Sequence, residues 1–234
     1  MAQCGAGGGR RYCERLLLTW GIIVTKPTHD ETIGAWLDAL GSAAPAPGGG
    51  AAAAMNTAMG AALVAMVANL TIGRQAYAEH HPHVTRVRDE ADELRTRAVE
   101  LVAQDAEAFD ALMATFRLPK VTDADKAARA TAIRAATVRA TEVSIDIAAV
   151  AARVVGLAES LLGRSNPSVV SDIAVAAASA VAGLESAGVN ADINLRSLRD
   201  VDVKTRLTAE IERHRLQVSA GRSVVDAVRK EIGP

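Results

Sequence analysis

The chain has 234 residues and a mass of 24.3 kDa, enough for one sizeable domain with its own core and short for two. Lys and Arg number 26 against 27 Asp and Glu, and this net charge of −1 argues against a generally basic nucleic-acid binder. Half of the residues are hydrophobic, only 3% are aromatic and 49 are alanine, which suits closely approaching helices better than sheets.

Residues 1–27 differ from the rest. Gly5 to Gly9 is glycine-rich, Arg10 and Arg11 are basic, and Leu16 to Val24 is a short apolar run. A secretion signal would add a small-residue cleavage site, and Val24-Thr25-Lys26 is a poor one. The expectation is a disordered leader or a mis-assigned start over 1–27, a functional chain beginning near Val24, and one domain over 28–234. Cys4 and Cys13 cannot by themselves build a disulfide framework or a four-ligand zinc site. They point to a reducing cytoplasm.

From Glu31 onward the pattern is helical. Thr32 caps a short helix carrying Ile33, Trp36, Leu37 and Leu40, and Gly41 with Pro45-Ala46-Pro47-Gly48-Gly49-Gly50 breaks it. The run from Ala51 to Ile72 has no charged side chain and is long enough to span a membrane. Its many alanines, with Asn56, Thr57, Gly60, Asn69 and Thr71, favour instead a central helix buried all round by protein. Pro82 suits the first turn of a long helix that Pro119 ends. Asp123 starts another that fades near Gly163. Asn166-Pro167 opens an alanine-rich helix over Ser171–Gly188, Val189–Leu198 is a short polar segment, and a last helix runs from about Asp202 to Ile232. No stretch alternates with period two, so the fold class is all-α, a single-domain bundle of long Ala-rich helices without a sheet.

One carboxylate interrupts an apolar stripe. Val87, Ala91, Leu94, Ala98, Leu101, Ala108 and Leu112 recur at steps of three and four, except that Asp105 occupies the step after Leu101. This spacing points Asp105 into the helix interface. Burial favours the neutral carboxyl and raises its pKa, which suits general acid–base catalysis near neutral pH. A structural Asp, paired with a buried Arg or capping a neighbouring helix, satisfies the same pattern.

Other features are less specific. Gly48, Gly49 and Gly50 let backbone approach a ligand at a helix start, yet they match neither the phosphate loop nor the dinucleotide fingerprint, and a tight turn explains them as well. His80, His81 and His83 read as solvated residues at a helix start rather than a metal cluster. Asn166, Ser171, Asp172, Asn190 and Asn194 form a late polar cluster, each also a competent helix cap. There is no Ser–His–Asp or Cys–His set.

Taken together in this order, Thr32-Ile33, Trp36-Leu37, Pro47-Gly48-Gly49-Gly50, Gly73-Arg74, Asp105-Ala106-Glu107-Ala108-Phe109, Arg117-Leu118-Pro119-Lys120, Asn166-Pro167, Ser171-Asp172 and Asn190-x-x-x-Asn194-Leu195 resemble the cyclodeaminase/cyclohydrolase family. The resemblance covers about Glu31 to the C-terminus. It implies an all-helical homodimer acting on a tetrahydrofolate derivative as substrate, by chemistry that needs no cofactor and no metal; the balanced charge and the Ala-rich run argue for neither nucleic acid nor membrane as partner. It assigns the family's catalytic acid/base to Asp105. By the same resemblance Pro47, Gly48, Gly49, Gly50, Asn166, Ser171, Asp172, Asn190 and Asn194 shape the substrate pocket, and Arg74 or Lys120 meets glutamate carboxylates. The family commonly reads Pro-Gly-Gly-Gly-Ser, and Ala51 here removes that hydroxyl.

Two folate reactions fit: cyclohydrolysis of methenyltetrahydrofolate to 10-formyltetrahydrofolate, and cyclodeamination of formiminotetrahydrofolate with release of ammonia. The cyclohydrolase is preferred, because 30 residues before the domain cannot hold a formiminotransferase. The alternatives from other classes are a non-catalytic helical folate-binding or oligomerisation module and a small membrane protein.

Overall fold

The computed structural model describes residues 31–233. The leader assigned to residues 1–27 lies outside them. Thr32 caps α1 (Ile33–Leu40), its hydroxyl accepting from the Ala35 N–H at 3.2 Å. After the proline–glycine loop come α2 (Gly49–Asn69), a short 3-10 turn (Gln75–His80), α3 (His81–Phe116) and α4 (Asp123–Ser160). A second 3-10 turn (Pro167–Val169) leads into α5 (Val170–Ser197), followed by α6 (Val201–Arg215) and α7 (Gln217–Ile232). No strand occurs among the described residues, and the chain is all-α.

The boundaries follow local chemistry. Pro82 lies in the first turn of α3, where a missing N–H removes no helical bond. Thr122 and Asp125 form a reciprocal capping box at the start of α4, with bonds of 3.0 and 2.9 Å. Gly163, at φ +66°, takes the left-handed turn after α4.

Helices α2, α3, α4 and α5 form the central bundle. Each of α2 and α4 packs on both α3 and α5, while α6 and α7 lie against α4 and α5. The core divides into two clusters along the bundle, one around Leu101, Ile147, Leu184, Leu207 and Ile211, the other around Val64, Val84, Val154, Leu161 and Ile173.

Three expectations change. The polar segment Val189–Leu198 is helical, because Ala187, Gly188, Ala191 and Leu195 continue the buried stripe of α5 while the intervening polar residues turn outward. The final helix is interrupted at Leu216, where it passes from one core cluster (Leu207, Ile211) to the other (Val224). Finally, α2 is not buried all round. By length and composition α2 would span a membrane, but twelve of its residues are buried in the bundle. Its remaining face carries Met59, Met66 and Leu70, which are 48%, 37% and 39% exposed.

The alanine richness has a structural use. A Cβ at Gly60 would come within 2.9 Å of the Ala176 carbonyl, and one at Gly183 within 2.9 Å of the Ala53 carbonyl. Helices α2 and α5 therefore meet almost backbone to backbone, which at these two positions only Gly permits. Gly183→Ala gains helix propensity of about 1 kcal/mol, but the methyl meets rigid backbone, and overpacking costs about 1–3 kcal/mol. The expected result is a lower Tm in thermal unfolding, although Ala is the better helix former.

Candidate active site

The start of α2 and the middle of α3 meet at one carboxylate. Asp105 sits on the inner face of α3, among the buried Leu101, Val102 and Ala108. The last turn of the glycine loop brings Gly50 against it so closely that a Cβ at position 50 would overlap both carboxylate oxygens. The Ala51 N–H, one of the unpaired donors at the start of α2, donates to the carboxylate. Desolvation by the surrounding helices pushes the Asp105 pKa above the ordinary range, and the Ala51 hydrogen bond only partly opposes this. The carboxylate is thus held in place by backbone, without a cationic side chain that would fix it as an ion.

A cleft of roughly 350 Å³ opens over Asp105. Its floor is Ala140 and Ser144 of α4, one wall is Phe109, Leu112 and Met113 of α3, and the other is Asn190, Ile193 and Asn194 of α5. Pro45, Ala46, Gly48, Gly49 and Gly50 close the end where α2 begins. Among the described residues, Asp105 is the one charged residue that lines it. The volume suits a small organic ligand. Asn190 and Asn194 lie one turn apart on α5. The Asn190 side chain faces Gly49 and donates to the Ser186 carbonyl at 3.1 Å.

The site residues named from the sequence fall into separate groups. Asp105, Gly48, Gly49, Gly50, Asn190 and Asn194 converge on the cleft, and Pro47 lies in the same loop without lining it. Arg74 follows the other end of α2, about 30 Å away for a 21-residue helix. Asn166 lies at that far end and is buried. Its N–H donates to the Thr71 hydroxyl at 3.0 Å, its amide donates to the Leu70 carbonyl at 3.2 Å, and its oxygen accepts from Ser168 at 3.0 Å. It ties the start of α5 to the end of α2 and does not line the Asp105 cleft. Ser171 and Asp172 begin α5 beside it, unburied.

Lys120 lines a different cavity of roughly 480 Å³, with Lys126, Arg129, Arg134, Arg199 and the Ser197–Asp200 turn. Both cavities follow the groove between α4 and α5, and Thr137 and Ala140 mark the one turn of α4 that separates them. The three histidines are half-buried at the start of α3. His81 Nε2 bonds the Arg74 carbonyl and His83 Nε2 the Ser160 carbonyl, each at 3.1 Å. Among the described residues no three His, Cys, Asp or Glu converge as metal ligands.

Sequence reasoning missed Pro45, Met113, Ser144 and Ile193 of the lining. Phe109 and Leu112 were visible, one in the motif around Asp105 and the other in its stripe, but only the packing shows that they face the cleft.

With this geometry in place, a family model described as formiminotransferase-cyclodeaminase matches residues 32–213. The chain is 47% identical over 171 residues to the methenyltetrahydrofolate cyclohydrolase of Methylorubrum extorquens, covering 73% of this chain and 82% of that relative. It is 33% identical over 172 residues to the formimidoyltransferase-cyclodeaminase of Sus scrofa, covering 74% of this chain and 32% of the relative. It therefore spans about a third of the length of that longer protein. The crystal structure of formiminotetrahydrofolate cyclodeaminase from Thermotoga maritima matches with a TM-score of 0.78 and 25% identity, over 87% of this chain and 98% of that chain.

The raised pKa of Asp105 has a stability signature. The folded state retains the Asp105 proton at pH values where the unfolded chain has lost it, so stability falls as pH rises from the ordinary value of 3.8 through the raised one. Asp105→Asn keeps an oxygen for the Ala51 N–H and carries no charge to desolvate. Its Tm is expected to exceed that of the unaltered protein at pH 7, with the difference vanishing below about pH 4, as measured by thermal unfolding across pH.

Proposed function

Because the chain belongs to the formiminotransferase-cyclodeaminase family, we propose that it is a folate one-carbon enzyme. Its reaction is that of a methenyltetrahydrofolate cyclohydrolase: the N5/N10 carbon bridge is hydrolysed to give 10-formyltetrahydrofolate. The observation that carries this reading is the lone carboxylate, held by backbone at a helix start, in a cleft with no other charged side chain among the described residues. The similarity to the Methylorubrum extorquens cyclohydrolase supports it.

The chemistry needs one proton carrier. The methenyl bridge is a cationic amidinium, and an ionised Asp105 in an uncharged cleft attracts it. Water adds to the bridge carbon as the Asp105 carboxylate accepts one of its protons, giving a tetrahedral adduct. Asp105 then delivers that proton to N5 as the C–N5 bond breaks, and the second water proton passes to solvent as the formyl group forms on N10. Desolvation makes the carboxylate a stronger base and keeps its acid form populated closer to neutral pH, so one group serves each step in turn. The family serine is Ala51 here, but its contact with Asp105 comes from the backbone N–H and needs no hydroxyl.

Asn190 and Asn194, with the glycine loop, offer hydrogen bonds to the pterin. The basic cavity around Lys120 lies along the same groove, where glutamate carboxylates of the substrate would be met. The protein acts as a homodimer in a reducing cytoplasm without a further cofactor.

The Thermotoga maritima neighbour favours a second reading, cyclodeamination. There N10 attacks the formimino carbon, Asp105 accepts the N10 proton, and the same proton leaves with ammonia.

The test follows methenyltetrahydrofolate absorbance with purified protein. Enzyme-dependent loss of the signal above the buffer rate is expected, with an acid limb in kcat above the ordinary carboxylate range. Signal appearing from the formimino compound, with ammonia, would transfer the assignment to the second reaction. Asp105→Asn is expected to fold and to lose at least about 100-fold in kcat, the low end for removing a general acid–base group. Full activity in that variant would remove Asp105 from the mechanism.

A further inference from the structure

Resting on that folate reading, we infer that Ser144 is the second partner of the attacking water: its hydroxyl oxygen and the Asp105 carboxylate together hold that molecule beneath the bridge carbon. Hydrolysis needs a water whose lone pair points at the carbon. A water bonded to Asp105 alone turns about that one bond, and a second acceptor removes the freedom. Cyclodeamination, in which N10 attacks, has no such need.

Ser144 is the one hydroxyl among the described residues that line the cleft. It is 1% exposed and sits among the buried Val143, Ile145, Ile147 and Ala148 of α4. Its Oγ–H is committed to the Ala140 carbonyl at 3.1 Å. A hydroxyl carries one hydrogen and two acceptor sites, so what Ser144 has left for a ligand is lone pairs. Thr137 and Thr141 make the same backbone bond on the same face of α4, each at 2.8 Å, and that bond is local helix chemistry. The difference lies in what the remaining lone pairs meet. Thr141 lines neither cavity and Thr137 lines the basic one, while Ser144 faces the cleft that holds Asp105.

The register of α3 and α4 sets the spacing. The ion pairs Glu90–Arg153 and Arg97–Asp146 advance seven residues along the two helices in opposite directions. Eight residues beyond Arg97 is Asp105, and eight residues before Asp146 is Val138. Asp105 is thus level with Val138–Ala140, and Ser144 lies about one turn further along α4 than Ala140. Each side chain leans towards the N-terminus of its own helix, and in antiparallel helices that brings Asp105 and Ser144 towards each other. One water donating to both oxygens would bridge about 4.5 Å, within the scale of a helical turn.

The direction is right for attack. Helix α4 is the floor of the cleft, between walls from α3 and α5. A flat ring system entering between those walls presents one face to the floor, and an sp² carbon is attacked perpendicular to that face. The water oxygen bonds to the bridge carbon as one proton moves to Asp105, which later returns it to N5. The other O–H stays hydrogen-bonded to Ser144 Oγ until its proton passes to solvent as the formyl group forms. Ser144 itself gains and loses no proton.

The test uses Ser144→Ala and the equal-sized pair Ser144→Thr and Ser144→Val, assayed on methenyltetrahydrofolate. Ser144→Ala is expected to lower kcat roughly 10-fold, the loss of one ordinary hydrogen bond, with KM unchanged. The acid limb of kcat is expected at the same pH, which separates loss of the water's partner from disturbance of Asp105. Ser144→Thr keeps a hydroxyl and is expected to stay several-fold faster than Ser144→Val, whereas a purely structural role would move both alike. Full kcat in Ser144→Ala, or equal kcat in the Thr and Val variants, would overturn the inference.

A crystal structure of the unaltered protein supplies a readout independent of activity. One ordered water is expected within about 3.2 Å of both Ser144 Oγ and an Asp105 oxygen, and it is expected to be lost in Ser144→Ala. A water that touches Asp105 but not Ser144 would overturn the inference. A protein that holds the bridged water yet leaves methenyltetrahydrofolate untouched would uphold the paired oxygens and overturn the folate reading instead.

Discussion

The close approach of α2 to its neighbours governs the rest of the structure. Gly60 and Gly183 let α2 and α5 touch through backbone, and Gly50 lets the start of α2 rest on the Asp105 carboxylate. Any larger side chain at these positions would separate the helices by more than the few tenths of an ångström that packing tolerates. The low aromatic content and the many alanines are the compositional trace of that one constraint. Backbone-close packing lets an N–H, rather than an arginine, hold the acid. The carboxyl therefore stays desolvated and can change protonation.

A cationic partner would have produced different chemistry. Glu90 shows the contrast within the same helix: its pairing with Arg153 holds its carboxyl below the ordinary range. Asp105, fifteen positions further along α3, has the opposite shift because its surroundings are apolar and its one donor is neutral. The fold thus places two carboxylates of one helix in opposite roles, one for linking helices and one in the proposed proton transfer.

Much of this was legible in the sequence for identifiable reasons. Periodicity located α3 and the inward Asp105, since a stripe with one polar member leaves that member little freedom of direction. Thr32, Pro82 and Asn166 marked helix starts because capping and first-turn chemistry is local. The continuation of α5 through Val189–Leu198 was hidden, because Asn190, Asp192 and Asn194 obscure the buried Ala191 and Leu195. The open face of α2 was equally hidden. An uncharged Ala-rich run looks the same whether protein surrounds it or covers it on one side only. The separation of Arg74 and Asp172 from the cleft depends on the direction in which α2 and α5 run, and motif order carries no such information.

The central claim is that Asp105 is a desolvated carboxyl poised against the backbone of α2. Its most direct test is carbon-13 NMR titration of protein labelled at Asp carboxyl carbons, with the Asp105 resonance assigned by its absence from Asp105→Asn. The account predicts a titration midpoint clearly above the ~3.9 of an unperturbed aspartate. A midpoint at or below that value would mean that Asp105 is solvated or ion-paired, and would contradict the account.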